Sequence, residues 1–155
     1  YTTDGANNPW PQFEGRAFIK DKITNDGLVI GPTVPEVMLS KAEALARQGN
    51  ASEAMNVVNA LRKNRFMPAE YVPFTASTPA DALNKVIEER RRELCGTGLR
   101  WFDQKRLNKE AAFATTVTRR FDGADYTLLP NSNRYVYPIA KKYILLNPEI
   151  EQNPK

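Results

Sequence analysis

Proline placement constrains this 155-residue chain more than any other feature. Its prolines fall at positions 9, 11, 32, 35, 68, 73, 79, 130, 138, 148 and 154, so two stretches, 36–67 and 80–129, hold none. Proline lacks an N–H donor and its ring clashes with the preceding helical turn. The helices are therefore expected in these two stretches.

The first stretch opens on Thr33-Val34-Pro35-Glu36, which fits a capping box with proline harmlessly inside the first turn. Val34, Met38, Ala42 and Leu45 recur at helical spacing and predict one apolar face. Gly49-Asn50 ends this helix, and Asn50 is predicted to cap the next, with Glu53 three residues on. Ala54, Val58 and Leu61 form the second stripe. So short a connection makes the helices antiparallel neighbours. Ala42, Ala44, Ala46, Ala51 and Ala54 predict a close-packed crossing.

A linker of about Phe66 to Ser77 follows. Thr78 then caps a third helix, with Pro79 at its first position and Asp81 three after the cap. Leu83, Val86, Ile87, Arg90 and Leu94 share its face, and Gly96 or Gly98 is predicted to end it. Leu99 to Leu107 reads as a fourth, short helix with Trp101, Phe102 and Leu107 on its apolar side. The period then changes to two. Val117, Arg119 and Phe121 alternate with Thr118 and Arg120, then Tyr126 and Leu128 follow a turn at 122–125. This predicts a small β-hairpin. The last segment reads as extended, with one helical turn at 141–145, and a short strand is expected at Arg16–Ile23.

The fold class expected is mainly α: a helical hairpin and two further helices, a β-hairpin and an extended C-terminal tail. The length favours one domain over 1–155, made of an irregular opening segment 1–32, the helical hairpin 33–65, the helices of 78–107, and the hairpin and tail of 113–155.

Composition removes several classes of chemistry. Without histidine there is no Ser-His or Cys-His pair. One cysteine, Cys95, allows no internal disulfide and no cysteine-rich zinc site, and late on a helix it reads as a buried, inert thiol. No metal site and no cofactor are expected; Asp122-Gly123-Ala124-Asp125 is too short for an EF-hand loop. Two-carboxylate hydrolysis would have to use Glu88, Glu89, Glu93 or Asp103, which are generic helix-face acids. The net charge of +4 is weakly suggestive of an anionic partner. Its densest basic runs are Arg62-Lys63-Asn64-Arg65 and Arg90-Arg91-Arg92. Glu88, Glu89 and Glu93 bracket the second, so a salt-bridged helix face is expected rather than nucleic-acid binding. The chain starts at Tyr1 and reads as a mature chain or a piece of a longer one.

The helix–Gly-Asn–helix unit resembles a tetratricopeptide pair. Two further segments narrow the resemblance. Glu88-Glu89-Arg90-Arg91-Arg92-Glu93-Leu94 runs through Gly98 into Arg100-Trp101-Phe102-Asp103-Gln104-Lys105-Arg106. Tyr137-Pro138-Ile139 is followed by Asn147-Pro148 and Gln152-Asn153-Pro154. Together, over about residues 30–155, these are similar to the SusD/RagB family, with its E-R-R-x-E-L-x-x-E-G-x-R-W-F-D-L-K-R signature and closing Y-P-I-P…N-P…Q-N-P. Thr97, Leu99, Gln104 and Ala140 depart from that pattern.

The resemblance implies a non-catalytic surface lipoprotein of the outer membrane that captures glycans or other nutrients. It implies a SusC-like TonB-dependent transporter as partner, and contact with the membrane only through a lipid anchor on an absent N-terminal part. The alternative is a tetratricopeptide-type scaffold holding a protein segment. Of the signature residues, Trp101 and Phe102 are expected to plug the core where the third and fourth helices meet. Glu93, Arg100, Asp103 and Arg106 are expected to form a structural charge network. Sugar binding calls for exposed rings with polar groups beside them. Trp10, with Asn8 and Phe13 in a loop-like run, is the local candidate.

Overall fold

A computed structural model describes residues 31–154. The chain divides into two compact units, Tyr1–Gly96 and Thr97–Lys155, where its length alone favours one domain. The candidate strand at Arg16–Ile23 lies outside the described residues.

The first unit holds α1 (Val34–Arg47), α2 (Ala51–Arg62) and α3 (Pro79–Glu93). Thr33 caps α1 as expected: its Oγ1 accepts from the Glu36 N–H at 3.4 Å. Gly49, at φ +89°, turns the chain back so that α2 packs on α1. Asn50 occupies the N-cap position of α2 but its side chain makes no capping bond. Its ψ of 64° lies outside the extended region that aims a cap oxygen at the first turn.

The core is built from all three helices. Leu39, Ala42 and Ala46 of α1 meet Ala54, Met55, Val58 and Leu61 of α2 and Ala82 and Val86 of α3. The α1 stripe is rotated from the expected one. Leu39 and Ala46 take the centre, Met38 and Leu45 flank it, and Val34 is 74% exposed. Val34 opens the helix, a turn too early to reach α2. Ala44 also lies outside the crossing and is exposed. The α2 stripe is as expected.

The linker is pinned by one side-chain amide. Asn59 donates to the Phe74 carbonyl at 2.8 Å and accepts the Phe74 N–H at 2.7 Å, as a neighbouring strand would. This seats Phe74 against the core and lays its ring 3.6 Å from the Arg62 guanidinium carbon. α3 starts as the sequence predicts, with the Asp81 N–H donating to Thr78 Oγ1 at 3.1 Å. After α3, Leu94 is buried but Cys95 is exposed. The helix has ended at Glu93, so Cys95 no longer continues its apolar face. The expected buried thiol is therefore corrected.

The second unit holds α4 (Leu99–Leu107), β1 (Val117–Phe121), β2 (Ala124–Leu128), a 3-10 turn at Asn133–Tyr135, and α5 (Lys141–Leu146). Gly98, at φ +82°, opens α4 rather than closing α3. The strands pair antiparallel, from Val117 opposite Leu128 to Phe121 opposite Ala124. The turn is two residues long, not the four expected. Asp122 and Gly123, at φ 47° and 74°, take the left-handed pair that matches strand twist. The buried apolar side chains described in this unit are Leu107 and Tyr135. Asn108, also buried, links its parts. Its Oδ1 accepts from Gln104 Nε2 at 2.6 Å and from the Thr115 N–H at 3.2 Å. Its carbonyl accepts from Asn131 Nδ2 at 2.9 Å. Gln104, a departure from the family signature, is thus a buried amide with a partner.

Candidate ligand-binding surface

Trp10, Asn8 and Phe13 lie outside the described residues. The signature residues fall in both units and are taken unit by unit.

In the first unit, Glu93 pairs with Arg65, whose Nη2 lies 2.7 Å from Glu93 Oε1 and whose Nε donates to Oε2 at 3.0 Å. Its neighbour Glu89 is buried and holds Arg62 at 2.8 Å. Arg92 reaches both Glu88 and Glu89, at 2.9 and 3.1 Å. Much of the basic charge of both runs is therefore met by the glutamates of α3. All three acids are therefore engaged by arginines of α2 and α3 or the residues just after α2.

In the second unit, Asp103 is buried on α4 and accepts from Arg106 Nε at 2.9 Å. Glu93 thus pairs with Arg65 in the first unit, and Asp103 with Arg106 in the second. Phe102 is 65% exposed and does not plug a core. On a nine-residue helix that buries Asp103, Gln104 and Leu107, position 102 faces outward.

Trp101 does pack, on two rings of its own unit. Its ring centroid lies 4.9 Å from that of Tyr135, tilted by 37°, and 5.5 Å from that of Tyr137, near-parallel at 24°. The three rings grade from burial to solvent: Tyr135 is 4% exposed, Trp101 half-buried, and Tyr137 69% exposed. An outer ring backed by two others is a rigid, water-facing apolar plate with a phenol at its rim. The tail fixes it in place. Asn153 Nδ2 donates to the Tyr137 carbonyl at 2.8 Å. The Gln152 amide takes the Ile139 N–H at 2.9 Å and returns a bond to the Ile139 carbonyl at 3.0 Å. The two halves of the tail motif are therefore partners, the second clamping the first. The ring stack is not legible in either half of the motif by itself. The available signal was two tyrosines spaced by one residue ahead of a Pro-rich closing segment.

Residues 34–155 match the SusD family. The chain belongs to that family. Among curated proteins, the SusD-like protein P38 of Formosa agariphila is 31% identical over 127 residues, covering 76% of this chain and 22% of that protein. The SusD-family chain thus spans about a fifth of the length of the curated relative it matches. No solved structure matches it. The matched region takes in the helical hairpin, the ion-paired α3, the Trp101 stack and the clamped tail. Among the described residues, no helix is long and apolar enough to cross a membrane, and no three His, Cys, Asp or Glu side chains are grouped to hold a metal ion.

Proposed function

We propose that this chain is part of a non-catalytic protein that captures glycans or other nutrients at the outer-membrane surface. It would pass them to a SusC-like TonB-dependent transporter, with a lipid anchor on an N-terminal part as the only membrane contact. The match of residues 34–155 to the SusD family carries this reading. The exposed Tyr137 ring, backed by Trp101, is the kind of surface on which a sugar's C–H face stacks. Trp10, with Asn8 and Phe13 beside it, is proposed as a second platform. The scaffold alternative has less in its favour, because α3 packs on both α1 and α2 and adds Ala82 and Val86 to their core.

Affinity electrophoresis through gels containing a panel of polysaccharides tests the proposal. The chain is expected to be retarded by at least one glycan, less so as Trp10→Ala or Tyr137→Ala. Reducing ends should not appear in the same mixtures. Release of reducing ends would replace capture by hydrolysis. Free migration on every glycan, beside retention of a peptide from lysate, would favour the scaffold.

A further inference from the structure

The β1–β2 hairpin has two faces of opposite character. The pairing register sets Val117, Arg119 and Phe121 on one face with Leu128, Tyr126 and Ala124. The other face carries Thr118, Arg120, Asp125 and Thr127, where Arg120 Nε lies 4.0 Å from Asp125 Oδ1. That second face is an ordinary solvated one, polar and with its charges matched.

The first face is not ordinary. Phe121 is 74% exposed and Tyr126 57% exposed. A hairpin normally turns its apolar face to a core. Here the central rung pairs Tyr126 with Arg119, and Phe121 lies two residues along the strand from Arg119 on the same side. Arg119 is exposed and its side chain has no hydrogen bond or ion pair among the described residues. Two open rings therefore flank an unmatched cation.

That combination selects its occupant. An apolar protein core would have to strip water from Arg119 and leave its charge uncompensated, which costs heavily. The occupant must offer a flat apolar face to the rings and a negative charge to the guanidinium. A sugar unit bearing an acid group offers both: its C–H face stacks on an aromatic ring and its anion takes a forked, charge-assisted pair from arginine. We propose that the Arg119–Phe121–Tyr126 face of the hairpin binds an anionic glycan, one whose units carry carboxylate or sulfate groups. This rests on the glycan-capture reading and names the class of glycan.

The test is calorimetric titration of the whole chain, at ~0.15 M salt so that diffuse attraction is screened. The probes are an oligogalacturonate, a chondroitin sulfate oligosaccharide and neutral maltohexaose. Binding of either anionic probe, with maltohexaose weaker, is expected, and the probe that binds distinguishes carboxylate from sulfate. Arg119→Gln should weaken it about ten-fold or more, the size of one charged hydrogen bond. Phe121→Ala and Tyr126→Ala should each weaken it several-fold, while Arg120→Gln on the opposite face should leave it within about two-fold. All four positions are exposed, and unchanged circular dichroism checks that each variant folds. Equal losses in Arg119→Gln and Arg120→Gln would overturn the site in favour of diffuse charge. Binding of maltohexaose alone, indifferent to Arg119, would overturn it while leaving glycan capture standing. Silence with all three probes would overturn the hairpin site; glycan capture itself is then judged by the polysaccharide panel.

Discussion

The two units of this chain are held together by different means. In the first, nine buried apolar side chains among the described residues, from three helices, form one cluster. In the second, the buried apolar side chains described are Leu107 and Tyr135, beside the buried polar trio Asp103, Gln104 and Asn108. Its coherence comes from amides that tie distant backbone: Asn108 to Thr115, Asn131 to Asn108, Gln152 to Ile139, and Asn153 to Tyr137. Apolar burial is non-directional and tolerates local adjustment. Amide bonds are directional, so they can hold an aromatic plate at a fixed tilt without a core beneath it. The first unit is held by an apolar cluster, and the second by directed amide bonds.

The comparison can be broken at a buried ion pair in the first unit. Glu89 and Arg62 pair at 2.8 Å with side chains only 6% and 9% exposed. Glu89→Ala would leave the Arg62 cation buried between Phe66 and Phe74 with no counter-charge, and also take a partner from Arg92. A loss of about 3–5 kcal/mol is expected in urea unfolding followed by helical circular dichroism. Glu89→Gln, which keeps shape and an acceptor, should lose less. Leu39→Ala comes next. Leu39 is fully buried, and the cavity should cost about 2–5 kcal/mol in the same measurement. If Glu89→Ala proved neutral, the ion pair would be an ornament on an apolar core.

In the second unit the informative change is polar. Asn108→Ala removes the acceptor for Gln104 and for the Thr115 N–H and should cost about 1–3 kcal/mol. The readout is Trp101 fluorescence in a Trp10→Phe background, where Trp101 is the sole tryptophan. Quenching and solvent exposure of Trp101 should change with Asn108→Ala and stay unchanged with Leu39→Ala. A Leu39→Ala variant that moved Trp101 as much would erase the distinction between the units.

The same contrast explains what could be read ahead of the structure. Helix starts at Thr33 and Thr78 were legible because a cap is a local device: its donor and acceptor lie within three residues. The β-hairpin was legible through alternation and Asp122-Gly123, although the turn is tighter than the sequence suggests. What depends on distant partners was not. The rotation that centres Leu39 and exposes Val34 is set by where α2 and α3 lie. Phe102 reads as apolar, yet α4 buries the polar Asp103 and Gln104 beside it. The Trp101 stack joins residues 34 and 36 positions apart, and no periodicity spans that distance. Cys95 was misread because apolar neighbours in sequence stop being neighbours in space once the helix ends.

The smallest expected effect sits at the start of α3 and concerns pH. The Asp81 carboxyl is held below the usual carboxylate range, first by its bond from Lys85 Nζ at 2.8 Å and with help from the Ser77 N–H at 3.3 Å. Partial burial works in the opposite direction and loses. A carboxyl with a lowered folded-state pKa stabilises the fold at pH values above its unfolded pKa, roughly 3.9. That contribution fades as pH falls through the folded value, because both states are then protonated. Lys85 also bonds the Thr75 carbonyl at 2.6 Å, so the ion pair joins the linker to the first turn of α3. Asp81→Asn should therefore lower the melting temperature slightly at pH 7, and by less at pH 3, with the two proteins converging on further acidification. High salt should shrink the pH 7 difference, since the pair is a third exposed on each side. A difference that grew on acidification would mean that Asp81 is stabilised in its protonated form, and the capping account of α3 would have the wrong sign.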